Sequence, residues 1–123
     1  MKPDLEKAAR KAKELKESGA DCPLQILKNL KHVGASSFAD ASARYGINRE
    51  ALLSMFDDGN QDAITMYRNG SYLVIYNQEL PCRIIRHAVA RELGHIVMEH
   101  DGSRPEDVRM AEANYFAEQF LNV

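Results

Sequence analysis

"DAITMYRNGSYLVIYN", residues 62–77, is where the hydrophobic period of this chain changes. On either side of it, apolar residues recur every three or four positions, as one face of a helix requires. Within it, β-branched and aromatic side chains dominate, and these favour extended backbone. The run is split by Asn69-Gly70. Asn-Gly is the strongest short hairpin signal, because both turn positions take a positive φ. The spacing predicts strands at 63–68 and 71–76. A lone hairpin is marginal in water, so the flanking helices must cover it, and the expected fold class is α+β.

Pro81 opens a long helix predicted over 81–99 and stopped by "HDGSRP", residues 100–105. A last helix, 105–121, carries Met110, Ala113, Phe116, Ala117, Phe120 and Leu121 on its apolar side. Before the hairpin, Leu5, Ala8, Ala9, Ala12 and Leu15 fit a helix over 4–17, with Ser18-Gly19 as its stop. A second helix fits 22–32, with Asp21 as cap, Pro23 in the first turn and Leu24, Leu27 and Leu30 as its stripe. Ser36 or Ser37 caps a third helix running to Tyr45 and closed by Gly46, and Asn48 caps a fourth, "REALLSMF". The expected organisation is one domain over 1–123, with a helical lead-in (1–60) and a hairpin-plus-helix core (61–121).

At 123 residues, 45% of them hydrophobic, the chain can bury a core without disulfide or metal staples. Its formal net charge of −2 argues against nucleic acid or an anionic membrane as an obligatory partner. Residues 1–31 are mildly basic, with eight Lys/Arg against five Asp/Glu, which reads as a solvated helix face. Cys22 and Cys82 stand far apart with no C-x-x-C pairing, so reduced thiols are expected. The first residues lack the apolar core of a secretion signal, and no apolar run approaches the ~18 residues of a membrane span. The expectation is a cytoplasmic protein. Oligomeric state leaves no signal here.

"HAVARELGHIVMEH", residues 87–100, carries the chemistry. In zinc-peptidase helices two histidines four apart grip the metal, and a glutamate beside the first activates water. Spacing of four puts both rings on one side of the helix, a rise of ~6 Å apart. Glu92 and His95 stand at the base and second-histidine positions, but the first-histidine position holds Arg91. Taken alone, Glu92 and His95 would be ordinary helix surface.

The motif has company in the right order: "YLVIYN" (72–77), "ARELGHI" (90–96), His100, and "EANYFAEQFL" (112–121). Over about residues 63–121 this pattern resembles the ImmA/IrrE family of metallopeptidases, found in bacteria and on phages and mobile elements. The resemblance implies a small zincin-like α+β domain: N-terminal helices, an antiparallel hairpin, a motif helix and a C-terminal ligand helix. It implies Glu92 as general base, a zinc cofactor, His95 as a metal ligand and Glu112 as the third ligand. It also implies a protein partner, a helix-turn-helix repressor that is cut or whose removal is enabled.

Arg91 departs from that pattern. A guanidinium has no lone pair to offer and repels a divalent cation, so two ligands and water are left to hold zinc. The expectation is that the guanidinium fills the metal's place between Glu112 and Glu92, making the chain a metallopeptidase-like binder. Two histidines are substitute-ligand candidates. His87 lies two turns, a rise of ~12 Å, from His95, whereas His100 lies just past the helix end. The competing reading is an active zinc endopeptidase using one of them. A third class rests on "FADASARYGINREALLSMF" (38–56), which resembles a DNA-reading helix-turn-helix. Over residues 36–58, Arg44 and Arg49 are outnumbered by Asp40, Glu50, Asp57 and Asp58, whereas a recognition helix normally meets phosphate with excess positive charge. The plain alternative is two short helices packed on the hairpin. Tyr67, Tyr72 and Tyr76 read as sheet packing, and Met55, Met66, Met98 and Met110 as core filler.

Overall fold

The computed structural model describes residues 1–55 and 62–121. Phe56, Asp57 and Asp58 of the helix-turn-helix reading lie outside the described residues. Among the described residues, six helices and three strands make an α+β domain in the order α1 (Leu5–Glu17), α2 (Pro23–Asn29), β1 (Val33–Ser37), α3 (Phe38–Tyr45), α4 (Arg49–Ser54), β2 (Ala63–Arg68), β3 (Ser71–Tyr76), α5 (Cys82–Val97) and α6 (Glu106–Leu121).

The hairpin forms where its turn dictates. Asn69 and Gly70 take φ of 53° and 79°, and β2 pairs antiparallel with β3, Tyr67 facing Tyr72. The sheet has a third member that the periodicity does not reveal. β1 pairs parallel with β3, Val33 opposite Tyr72 through Ser37 opposite Tyr76, giving the order β1-β3-β2. The expected second helix therefore ends early, at Asn29. Its N-cap is Cys22 rather than Asp21, and no side chain caps it. His32 turns the chain with φ of 62°, and its carbonyl accepts the Tyr72 amide at 2.8 Å, aligning β1 with β3. "VGASS" has no hydrophobic alternation to advertise a strand; its pairing partner makes it one.

Helices cover both faces of the sheet, which is why the central strand reads as an unbroken apolar run. On one face, Leu73, Ile75, Ile64 and Met66 pack with Phe38, Ala41 and Leu52 of α3 and α4. Ser37 caps α3 by accepting the Asp40 amide, Asn48 caps α4 by accepting the Ala51 amide, and Gly46 closes α3 at φ 68°. Phe38, Ala41 and Leu52 of these two helices are buried against the hairpin, with Leu53 beside them. On the other face, Tyr72, Val74 and Tyr76 meet the larger core, built from Ala8, Ala12, Ile26, Leu27, Val89, Leu93, Phe116 and Phe120.

α5 lies at the centre of that core. Every residue from Ala88 to Gly94 is buried, Arg91 and Glu92 included. The surface reading of the motif is thus corrected for Glu92, and His95 is half-buried. Gly94 allows α6 to approach closely: a Cβ there would lie 3.2 Å from the Ala113 carbonyl and 2.9 Å from Phe116 Cδ1. The first 60 residues are no mere lead-in, since α1 packs on α6 and β1 completes the sheet. Among the described residues, no helix is long and apolar enough to cross a membrane. Cys22 and Cys82 are both free and exposed.

Candidate functional site

Arg91, on the buried side of α5, reaches away from α6 and toward the start of β2. Its Nη2 donates to Asp62 Oδ1 at 2.8 Å and its Nη1 to Asp62 Oδ2 at 3.2 Å, a two-pronged pair. Its Nε donates to Glu92 Oε2 at 2.9 Å, and Nη2 also meets the Ala63 carbonyl at 3.3 Å. The expectation that the guanidinium spans Glu112 and Glu92 is corrected: Glu92 is a partner, but Asp62 takes the place given to Glu112. The reason is geometric. A side chain on α5 that faces the sheet meets the residue entering β2, whereas Glu112 sits on α6, across the helix. Sequence reasoning passed over Asp62, although a buried arginine demands an acidic partner and Asp62 opens the hairpin stretch itself.

Burial works against every charge in this cluster, and the pairing decides the outcome for each. For Arg91 the Asp62 hydrogen bonds and the fields of Glu92 and Asp62 outweigh burial, so its pKa rises. Burial would lift the Asp62 carboxyl, but the Arg91 hydrogen bonds hold it below the usual carboxylate range. Burial wins only at Glu92, whose pKa is raised despite Arg91 and the 3.0 Å hydrogen bond from the Thr65 hydroxyl to Oε1. A raised pKa suits a general base, yet one oxygen of Glu92 is held by Arg91 and the other by Thr65.

The second cluster joins α5 to α6. Met98 ends α5, and Glu99 adopts a left-handed conformation at φ 55°. The Glu99 amide bonds the Ile96 carbonyl and the His100 amide bonds the His95 carbonyl, both at 3.0 Å. This is a Schellman turn built without glycine, and it ends the helix two residues before the expected 99. It also throws His100 back along the helix. His95 Nδ1 and His100 Nδ1 lie 2.8 Å apart, and His100 Nε2 lies 2.7 Å from Glu112 Oε1. Of the two substitute-ligand candidates, His100 thus joins His95 and Glu112. His87, half-buried on α5, takes no part.

Glu112 is wholly buried and accepts four donors. Oε1 takes His100 Nε2 and, at 3.1 Å, Arg104 Nε; Oε2 takes Arg104 Nη2 at 2.9 Å and the Asp4 amide at 2.6 Å. Burial would raise its pKa, but the Asp4 amide, His100 and Arg104 together lower it. An ionised Glu112 can only accept, so His100 Nε2 donates to it, His100 Nδ1 accepts, and His95 Nδ1 donates. Both histidines are held neutral. Burial, then the fields of His100, Arg91 and Arg109, push His95 down to about 3, and burial also lowers His100 against the pull of Glu112.

These contacts decide whether the residues fit a zinc ion. A catalytic zinc takes three protein donors and keeps a fourth position for water. Arg91 offers none, and Glu112 has each of its lone pairs engaged. The His100 ring stands between His95 and Glu112, its Nδ1 toward one and its Nε2 toward the other, so as arranged the three are engaged with one another. Of Arg91, His95, His100 and Glu112, His95 alone keeps a ring nitrogen, Nε2, that no hydrogen bond engages, so as arranged these four do not present three donors to a zinc ion. Among the described residues, no group of three His, Cys, Asp or Glu is arranged to hold an ion. No known protein family, curated protein or solved structure matches this chain.

Proposed function

We propose that this chain is a metallopeptidase-like protein of the ImmA/IrrE type, with a zincin-like arrangement of hairpin, motif helix and ligand helix, whose zinc site is closed by its own side chains. It works by binding a protein partner, and a helix-turn-helix repressor is the partner the resemblance implies. The observation that carries this reading is Arg91. At the position where a metallopeptidase has its first histidine, a buried guanidinium pairs with Asp62 and Glu92. Glu92, the carboxylate beside the metal position, is paired with a fixed positive charge from the protein itself, so the scaffold keeps a cation there without a Lewis acid. β2, an edge strand of the sheet, runs beside Glu92 through Thr65. An extended segment of a partner can add to such an edge.

A second reading, an active zinc endopeptidase with Glu92 as base and zinc held by His95, Glu112 and a substitute ligand, draws on one observation. His100 lies within hydrogen-bond reach of both of the other residues. The two readings part in one experiment. The purified protein is equilibrated with zinc, dialysed, and analysed for metal, then mixed with a helix-turn-helix repressor encoded beside it. The expected result is no stoichiometric zinc and a stable complex with intact repressor. One zinc per chain, with repressor cleavage stopped by a chelator, would establish the second reading instead.

A further inference from the structure

We infer that Arg104 is a second internal cation closing the site, so that restoring the missing histidine at position 91 does not by itself create a zinc site. This inference rests on the metallopeptidase-like reading of the scaffold and concerns a different residue from the one that carries it. Arg104 precedes α6, and its side chain reaches down onto the wholly buried Glu112. A carboxylate has about four lone-pair directions in all. Here two belong to Arg104, one on each oxygen, and the others to His100 and the Asp4 amide.

Arg104 differs from the other two in kind. The amide and the imidazole each hold a single lone pair and bring no fixed charge. The guanidinium holds a lone pair on both oxygens at once, and its permanent charge sits 2.9 Å from an oxygen that a zinc ion would have to share. Removing Arg104 frees acceptor capacity on both oxygens, whereas removing Arg91 frees none on Glu112, because Arg91 does not touch it. The two arginines therefore block two different ligand positions, Arg91 on α5 and Arg104 at Glu112, and both must go before three donors can meet.

The test compares wild type, Arg91→His, Arg104→Ala and the double variant, each equilibrated with zinc, with metal per chain and thermal midpoint with and without zinc as readouts. Arg104 is one-third exposed, so its replacement is compatible with folding, checked by circular dichroism; Arg104→Gln is the alternative if the alanine form does not fold. The double variant is expected to retain about one zinc per chain after dialysis, and Arg91→His none. Only in the double variant should zinc raise the melting temperature. Equal zinc affinity in Arg91→His and the double variant overturns the inference, and so does a folded double variant that stays empty. Stoichiometric zinc in the wild type would sink the proposed function instead.

Discussion

At the scale of the residue, the site is governed by where charge is allowed to be buried. Arg91, Asp62 and Glu92 are each less than a tenth exposed, and each has its polar atoms engaged. Removing one member of such a group leaves the others charged in a low-dielectric interior, at a cost of about 3–5 kcal/mol. Arg91→Met, of similar length and no charge, should lower unfolding stability in urea by about that amount. Asp62→Asn in the same background should then cost less than it does in wild type, because its partner has already gone. A loss below about 1 kcal/mol for Arg91→Met would place Arg91 among surface-like ion pairs and remove the reason to call it a substitute for the metal. His95 supplies the pH dependence. Its pKa falls from the ordinary 6.5 to about 3 on folding, so between those values the unfolded chain binds a proton that the folded one refuses. Stability contributed by His95 is therefore present above the unfolded value and is lost as pH drops through the window, with His100 adding the same sign and Glu92, raised by burial, opposing it. Urea midpoints for wild type should fall between about pH 7 and pH 5, and less steeply in His95→Gln. Identical slopes would mean His95 is not held neutral by burial.

At the scale of the element, what a sequence reveals depends on whether the cause of the structure is local. The hairpin strands were legible to the residue, 63–68 and 71–76, because the Asn69-Gly70 turn sets the register from within. The cap at Asn48, and that at Ser37 to within one residue, were legible for the same reason, each bonding an amide three residues on. β1 was not, because "VGASS" becomes a strand only when β3, some forty residues later, offers its edge. Within the candidate site, Glu92, His95, Glu112 and the return of His100 could be placed from the motif, while Asp62 and Arg104 could not. Those two act through contacts spanning 29 and 8 residues that no periodicity encodes. The return of His100 itself hangs on Glu99, an L residue in left-handed backbone at the end of α5. That conformation costs roughly 1–2 kcal/mol for a residue with a Cβ, and an acidic side chain at a helix C-terminus meets the wrong end of its dipole. Glu99→Gly relieves both but adds chain entropy to the unfolded state, leaving a net gain of about 0.5–1 kcal/mol. The check is a pair of chemical denaturation curves. A loss of stability would show that the Glu99 side chain makes a contribution the turn geometry does not explain.

At the scale of the whole molecule, the proposed family reading rests on the hairpin and the last two helices, but the physics of the fold does not stop at that boundary. The larger core draws Ala8 and Ala12 from α1, and Ile26 and Leu27 from α2, into the same cluster as Val89, Leu93 and Phe116. β3 is central only because β1 lies on its far side. Glu112 keeps its charge partly through the amide of Asp4, 108 residues away, so the buried acid of the candidate site is held by the first turn of the chain. A fragment of about 60 residues already buries only about 60% of the surface its unfolded form exposes. Residues 61–121 alone would also uncover one edge of β3, the α1 face of α6 and an acid lacking one of its donors. The isolated fragment should therefore be unfolded, with collapsed amide dispersion in its nitrogen–proton correlation spectrum and no cooperative thermal transition. Adding a peptide of residues 1–55 should restore dispersion if the two halves are one folding unit. A dispersed spectrum and a sharp melt for the fragment by itself would show that the first half decorates an autonomous core, and that the Asp4–Glu112 contact is incidental to it.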